Sequence, residues 1–152
     1  MLSQRIQVLS ESLTMAITAQ ARELKAAGED VLSFSAGEPD FDTPKVCQEA
    51  VIKAVQSGFS KYTAVPGAPE VLEAVCVKLK RDHGLEYKPN QIITNVGAKH
   101  SLFNLFQAIL NEGDEVIIPA PYWVTYPEIV LYSGGKPVVL DTDEKSGFKI
   151  TP

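Results

Sequence analysis

Cysteine is nearly missing from this sequence: 152 residues contain two, Cys47 and Cys76. They stand far apart, with no CxxC pair and no histidine beside either, so neither a disulfide scaffold nor a zinc ribbon is in view. Two buried free thiols in a reducing compartment are the expectation. Histidine is as scarce, with His83 and His100 alone. Neither has a visible Ser, Cys or Asp partner, and both read as surface or satisfied polar positions. No apolar run approaches the ~20 residues that cross a bilayer, and residues 1–6 lack the apolar centre of a secretory signal. A cytoplasmic protein without a membrane partner is expected. A basic stripe is also lacking. Fourteen Lys and Arg stand against nineteen Asp and Glu, for a net charge of −5, which argues against a nucleic-acid partner. The longest basic cluster, residues 78–81, reads as the solvated face of a helix. What remains is an ordinary globular balance, 45% hydrophobic and 22% charged, large enough for a core of its own.

Punctuation by Gly and Pro divides the chain. An amphipathic helix fits residues 12–27, with Leu13, Ile17 and Leu24 on one face and Gly28 as its stop. A β-prone stretch, 31–35, runs into a segment at 36–44 too rich in Gly, Pro and Asp to be regular. Thr43 before Pro44 predicts a helix start, cap residue then proline, with the end near Gly58. After an irregular loop at 61–67, a helix is predicted over 69–83, with Leu72, Val75, Cys76 and Leu79 at core spacing and Gly84 as terminator. From there strands at 91–95, 115–119 and 136–140 alternate with helices at 98–111 and 122–133. Such βαβαβ order predicts a parallel sheet covered by helices. Residues 143–147 form a turn, and 148–152 begin an element that does not continue. Three strands alone leave an edge uncovered, as in a chain cut in mid-fold.

Three segments have a chemistry to offer. At Thr94-Asn95-Val96-Gly97-Ala98-Lys99-His100-Ser101 a strand delivers a small-residue turn into a helix. Its first amides lack intrahelical partners at the positive end of the dipole, which suits an anion such as phosphate; a glycine serving the turn alone gives the same pattern. The pattern is neither GxxxxGK[ST] nor GxGxxG. At Pro121-Tyr122-Trp123 the single tryptophan follows a strand's carboxyl end, where open parallel sheets bind ligands; it either stacks on a planar ligand or fills the core. In Ser35-Ala36-Gly37-Glu38-Pro39-Asp40-Phe41-Asp42, Gly37 permits close backbone approach. The alternating carboxylates there lack the rest of a calcium loop, so no metal is assigned. Tyr62 offers a phenolic donor or is a plain loop aromatic.

Taken in order, residues 35–44, Lys61-Tyr62-Thr63, Val96-Gly97-Ala98-Lys99, Leu102-Phe103-Asn104-Leu105-Phe106-Gln107-Ala108, Gly113-Asp114-Glu115-Val116 and Pro121-Tyr122-Trp123 resemble the N-terminal part of a class I, fold-type I aminotransferase. The likeness is nearest to the bacterial aspartate aminotransferases of the Ib-like subgroup and covers essentially the whole chain. It implies an α/β fold, an incomplete large domain of a pyridoxal 5′-phosphate (PLP) dependent transferase. It also implies a boundary, with an arm, helix and substrate loop over 1–45 and the first portion of the cofactor-binding domain over 46–152.

The resemblance assigns roles residue by residue. Gly97, Ala98 and Lys99 match the turn that receives the cofactor phosphate, and Trp123 the aromatic that stacks on its ring. Gly37 matches the backbone near the substrate α-carboxylate. Tyr62 matches the tyrosine that reaches the neighbouring subunit's phosphate, which implies a homodimer. Lys99 also matches a lysine facing the substrate's side-chain carboxylate, a charge preference for aspartate or glutamate paired with a 2-oxo acid. Family members often carry Gln where this chain has His100. The family's Asn-Pro-x-x-Pro-x-Gly and Asp-x-x-Tyr segments, its Ser-x-x-Lys with the imine-forming lysine, and its C-terminal arginine lie downstream and are expected to be absent here. The chain alone is therefore expected to be inactive and to expose apolar patches. Two alternatives stay open: a short, non-catalytic PLP- or phosphate-binding protein, and an aminotransferase for aromatic amino acids, prephenate or alanine.

Overall fold

The computed structural model describes residues 2–10, 12–34 and 37–151. It divides into two compact units, one formed by residues 1–37 with 96–152 and the other by 38–95. Ser35, Ala36 and Pro152, which belong to segments singled out above, lie outside the described residues.

In the first unit, α1 (Gln4–Gln7) and α2 (Leu13–Ala26) lead in. Ser12 Oγ accepts the Met15 N–H at 3.4 Å and starts α2, as its residue type favours. Gly28, at φ 90°, follows its end. Helix α5 (Gly97–Ile109), strand β1 (Glu115–Ala120), helix α6 (Thr125–Tyr132) and strand β2 (Lys136–Asp141) complete the unit. The strands are parallel, in register from Glu115 opposite Lys136 to Ala120 opposite Asp141. Alternation along β1 buries Ile118 and leaves Ile117 exposed, the period-two signature of a sheet covered on one face. Val130 of α6 is fully buried, with Ile129 beside it, and Phe103 of α5 meets Tyr132 of α6 at 5.4 Å between ring centroids. The turn into β2 requires glycine for lack of room. A Cβ on Gly135 would stand 3.0 Å from both Leu110 Cδ1 and Val130 Cγ1 and 3.2 Å from the Asp114 carbonyl oxygen.

The second unit holds α3 (Lys45–Gln56), α4 (Pro69–His83) and a short 3-10 turn at Pro89–Gln91. Helix α4 runs as its pattern predicts, with Pro69 at its start and Leu72 buried. Gly84, at φ 68°, ends it in the left-handed conformation, and its N–H donates to the Lys80 carbonyl at 3.0 Å, an αL closure. Gly67 is held at φ 129°, where a Cβ would stand 2.3 Å from Thr94 Oγ1.

Three expectations are corrected. Residues 92–95 do not join the sheet, which has two strands among the described residues. The Thr94 N–H and its Oγ1 both donate to the Pro66 carbonyl, at 2.8 and 2.9 Å, so this segment bonds to a loop rather than a ladder. Helix α3 begins one residue late: Pro44, at ψ 137°, takes the cap position and Lys45 is first in the helix. Its predicted cap, Thr43, instead uses its carbonyl to accept from Gln48 Nε2 at 2.5 Å. Both cysteines are free, yet Cys76 on α4 is half-buried and Cys47 is exposed, on a helix, α3, whose apolar residues Val46, Val51, Ile52 and Val55 are uncovered too. Among the described residues no helix is long and apolar enough to cross a membrane. Among the described residues, no cluster of three His, Cys, Asp or Glu could hold a metal.

Candidate functional site

The turn into α5 is built around Gly97. Its φ of 79° lies where L side chains rarely go, while a Cβ there would meet nothing within 4 Å. Conformation, not crowding, thus demands glycine. Val96, in the cap position, has no polar side chain and makes no side-chain cap hydrogen bond. The orphan amides of the first turn, at Gly97, Ala98 and Lys99, are therefore not covered by the usual Ser, Thr or Asp oxygen. All three residues are exposed.

Beyond β1 the chain passes a cis Ala120–Pro121 bond and reaches Trp123. The Ala120 carbonyl accepts from Thr142 Oγ1, and the Trp123 carbonyl accepts the Tyr126 N–H at 3.0 Å. These bonds fix both ends of the short 121–124 link. Lys99 Nζ lies 5.0 Å from the centroid of the Trp123 ring, within the range of a cation–π attraction. The indole and the first turn of α5 therefore share one neighbourhood, and Trp123 is 45% exposed, so it does not fill the core. Among the described residues no carboxylate forms an ion pair with Lys99.

The remaining site candidates are each exposed. Gly37 is exposed, with open space where a Cβ would stand. Tyr62, in the other unit, is fully exposed in the loop with Ser60 and Lys61. His83 is exposed at the end of α4. His100 is a satisfied polar residue, since its Nδ1 accepts the Val96 N–H at 3.2 Å. That bond was missed in the sequence, where a Val-x-x-x-His spacing carries no recognised capping signal. The bare Ser-x-x-Lys spacing is not absent either. It occurs at Ser133–Lys136 and Ser146–Lys149. In the first, Ser133 Oγ donates to the Ile129 carbonyl at 2.8 Å and Lys136 Nζ donates to Glu115 Oε1 at 2.8 Å. In the second, Ser146 closes the turn with Asp143. Both therefore have structural employment.

The shifted pKa values fall on Arg81, Asp82, Glu115 and Lys136. Hydrogen bonds from Arg81 and then Lys78 hold the Asp82 carboxyl at about 2. The bond from Lys136 lowers the Glu115 carboxyl, and the same bond raises Lys136.

An uncapped helix start beside a half-exposed indole and an ammonium can hold an anion attached to a flat ring. The family model for aminotransferase class I and II matches residues 29–152. The chain belongs to that family. Its relatives include an aspartate aminotransferase from Bacillus sp. (strain YM-2), 54% identical over 99% of this chain and 38% of that protein. An aspartate/prephenate aminotransferase from Nitrosomonas europaea is 51% identical over 99% of this chain and 38% of its own length. Among solved aminotransferases, the aspartate aminotransferase from Thermus thermophilus with maleate superimposes with a TM-score of 0.94 at 46% identity, covering 99% of this chain and 40% of that one. The chain thus spans about 38% of the length of the curated relatives it matches. The α/β aminotransferase fold follows, with a helix-covered parallel sheet that represents part of the large domain.

Proposed function

We propose that these residues form the phosphate- and ring-binding part of a PLP-dependent aminotransferase that moves an amino group between aspartate or glutamate and a 2-oxo acid. The observation that carries this is the Lys99 ammonium 5.0 Å over the Trp123 ring at a helix start without a side-chain cap. The donor set fits PLP: amides of Gly97, Ala98 and Lys99 for its phosphate, and the Trp123 face for its pyridine ring. When bound, the cofactor supplies an electron sink for the charge left by removal of the substrate α-proton. The chain's own residues bind and orient. The positive end of α5 holds the dianion, Trp123 restricts the ring's tilt, and the backbone at Gly37 lies near the substrate α-carboxylate. Lys99 attracts a side-chain carboxylate, in keeping with the dicarboxylate maleate named with the Thermus thermophilus structure.

Tyr62, fully exposed, serves the phosphate of a second subunit in a homodimer. Residues 1–45 act as arm and substrate loop and 46–152 as the start of the cofactor-binding domain, in a cytoplasmic enzyme. Prephenate is the second substrate reading, favoured by the Nitrosomonas europaea relative at 51% identity.

The test is a chimera joining residues 1–152 to the C-terminal remainder of the Bacillus sp. relative. It is expected to transaminate aspartate with 2-oxoglutarate and to lose acidic substrates selectively when Lys99 becomes Ala. A chimera that folds and retains PLP yet turns over aspartate no faster than alanine defeats the substrate assignment.

A further inference from the structure

The bond from the Val96 N–H to His100 Nδ1, at 3.2 Å, has a specific consequence for the anion turn. In an ordinary capping box two bonds cross: the cap side chain accepts amides of the first turn, and a side chain one turn on accepts the cap residue's own N–H. Here the second bond is made and the first is missing, because Val96, the cap residue, has no side-chain acceptor. We infer that His100 is a positioning residue. It ties down Val96 from inside the helix, and so holds the Gly97–Lys99 turn in shape without occupying the amides an anion needs. The inference rests on the anion reading of this turn and deepens it.

The chemistry fixes the form of the imidazole. To accept at Nδ1 the ring must be neutral with its proton on Nε2. Val96 is 89% exposed, so packing of its side chain does not hold it. The conformation of Gly97, at φ 79°, is open to many backbones in glycine, and the His100 bond selects one. The Ser101 hydroxyl adds a weaker tie to the Gly97 carbonyl, at 3.4 Å.

The experiment uses the chimera of residues 1–152 with the C-terminal remainder of the Bacillus sp. relative, labelled with 15N and freed of PLP, with inorganic phosphate as the probe. His100→Asn places Oδ1 where Nδ1 stands and keeps an acceptor; His100→Phe keeps a flat ring and removes it. The wild type is expected to show an unprotonated Nδ1 and a protonated Nε2. His100→Phe is expected to speed hydrogen exchange at the Val96 amide about fivefold, the factor one ordinary net hydrogen bond gives, and to weaken phosphate by a similar factor. His100→Asn should stay within about twofold of wild type in both. A protonated Nδ1 in the wild type, or unchanged Val96 exchange in His100→Phe, overturns the proposal, and the first of these needs no variant. If phosphate moves none of the 97–99 amide signals in the wild type, the anion reading fails. The ring signals and Val96 exchange then still decide whether His100 holds the turn.

Discussion

Replacing Gly97 with Ala isolates what the turn into α5, and the anion binding proposed for it, owe to backbone conformation. A Cβ at this position meets nothing within 4 Å, so crowding contributes nothing to the cost. The whole penalty comes from φ 79°, which an L residue adopts at about 1–2 kcal/mol. Two outcomes share that energy. If the turn keeps its shape, the chain loses about 1–2 kcal/mol of stability, read from urea unfolding by circular dichroism. If the turn relaxes, stability is spared and the binding form must be regained at each encounter, weakening PLP about 5- to 30-fold. Binding is read from quenching of the single tryptophan, with inorganic phosphate as competitor. Asn tolerates the left-handed region better than other side chains, so Gly97→Asn should fall between wild type and Gly97→Ala in whichever quantity moves. A Gly97→Ala chain with unchanged stability and unchanged affinity refutes the conformational account of this turn.

Other consequences follow from the same geometry. In the chimera, Lys99→Ala should lower kcat/KM for aspartate roughly 10- to 100-fold, as loss of a charge-assisted hydrogen bond does, and leave alanine within a fewfold; equal losses would sink the charge preference. Gly67→Ala should cost about 2–4 kcal/mol, combining φ strain with overpacking against Thr94 Oγ1, and Thr94→Ala in the same chain should recover part of it. Strict additivity in that double-mutant cycle would contradict the contact. Asp82 is a carboxylate with its folded pKa depressed to about 2 by Arg81 and Lys78. Its contribution is therefore fully present above the ordinary range near 4 and is lost as pH falls from about 4 to about 2. A carboxyl-carbon NMR titration of Asp82 with a midpoint near 4 would show that the pairing does not persist in solution.

Signals contained within a turn or two of chain were legible. Ser12 before α2, Pro69 at the start of α4, and Gly28 and Gly84 beyond helix ends act through adjacent backbone groups, so residue type suffices to read them. Strands β1 and β2 were legible as well, because their apolar runs are flanked by turn residues on both sides. The 91–95 segment looked the same locally and was misread. A strand exists by virtue of the neighbour that accepts its hydrogen bonds, and here Thr94 bonds to Pro66. Exposure of Cys47 was equally invisible, since helical spacing shows which face is apolar but not whether anything covers it. At the turn into α5, the glycine at position 97 could be read directly from its residue type, whereas the His100 bond depends on rotamer and backbone angles.

By itself the sequence determined the elements with local punctuation, the parallel order of the two strands and the family, because those depend on residue types at short spacing. Tertiary structure alone decided that Lys99 reaches Trp123 across twenty-odd intervening residues, that Gly135 has no room for a Cβ, and that Thr94 bonds to the Pro66 carbonyl. Each of these depends on which atoms become neighbours once β1 and α6 return the chain on itself or a loop offers a carbonyl, and no spacing along the chain encodes that distance.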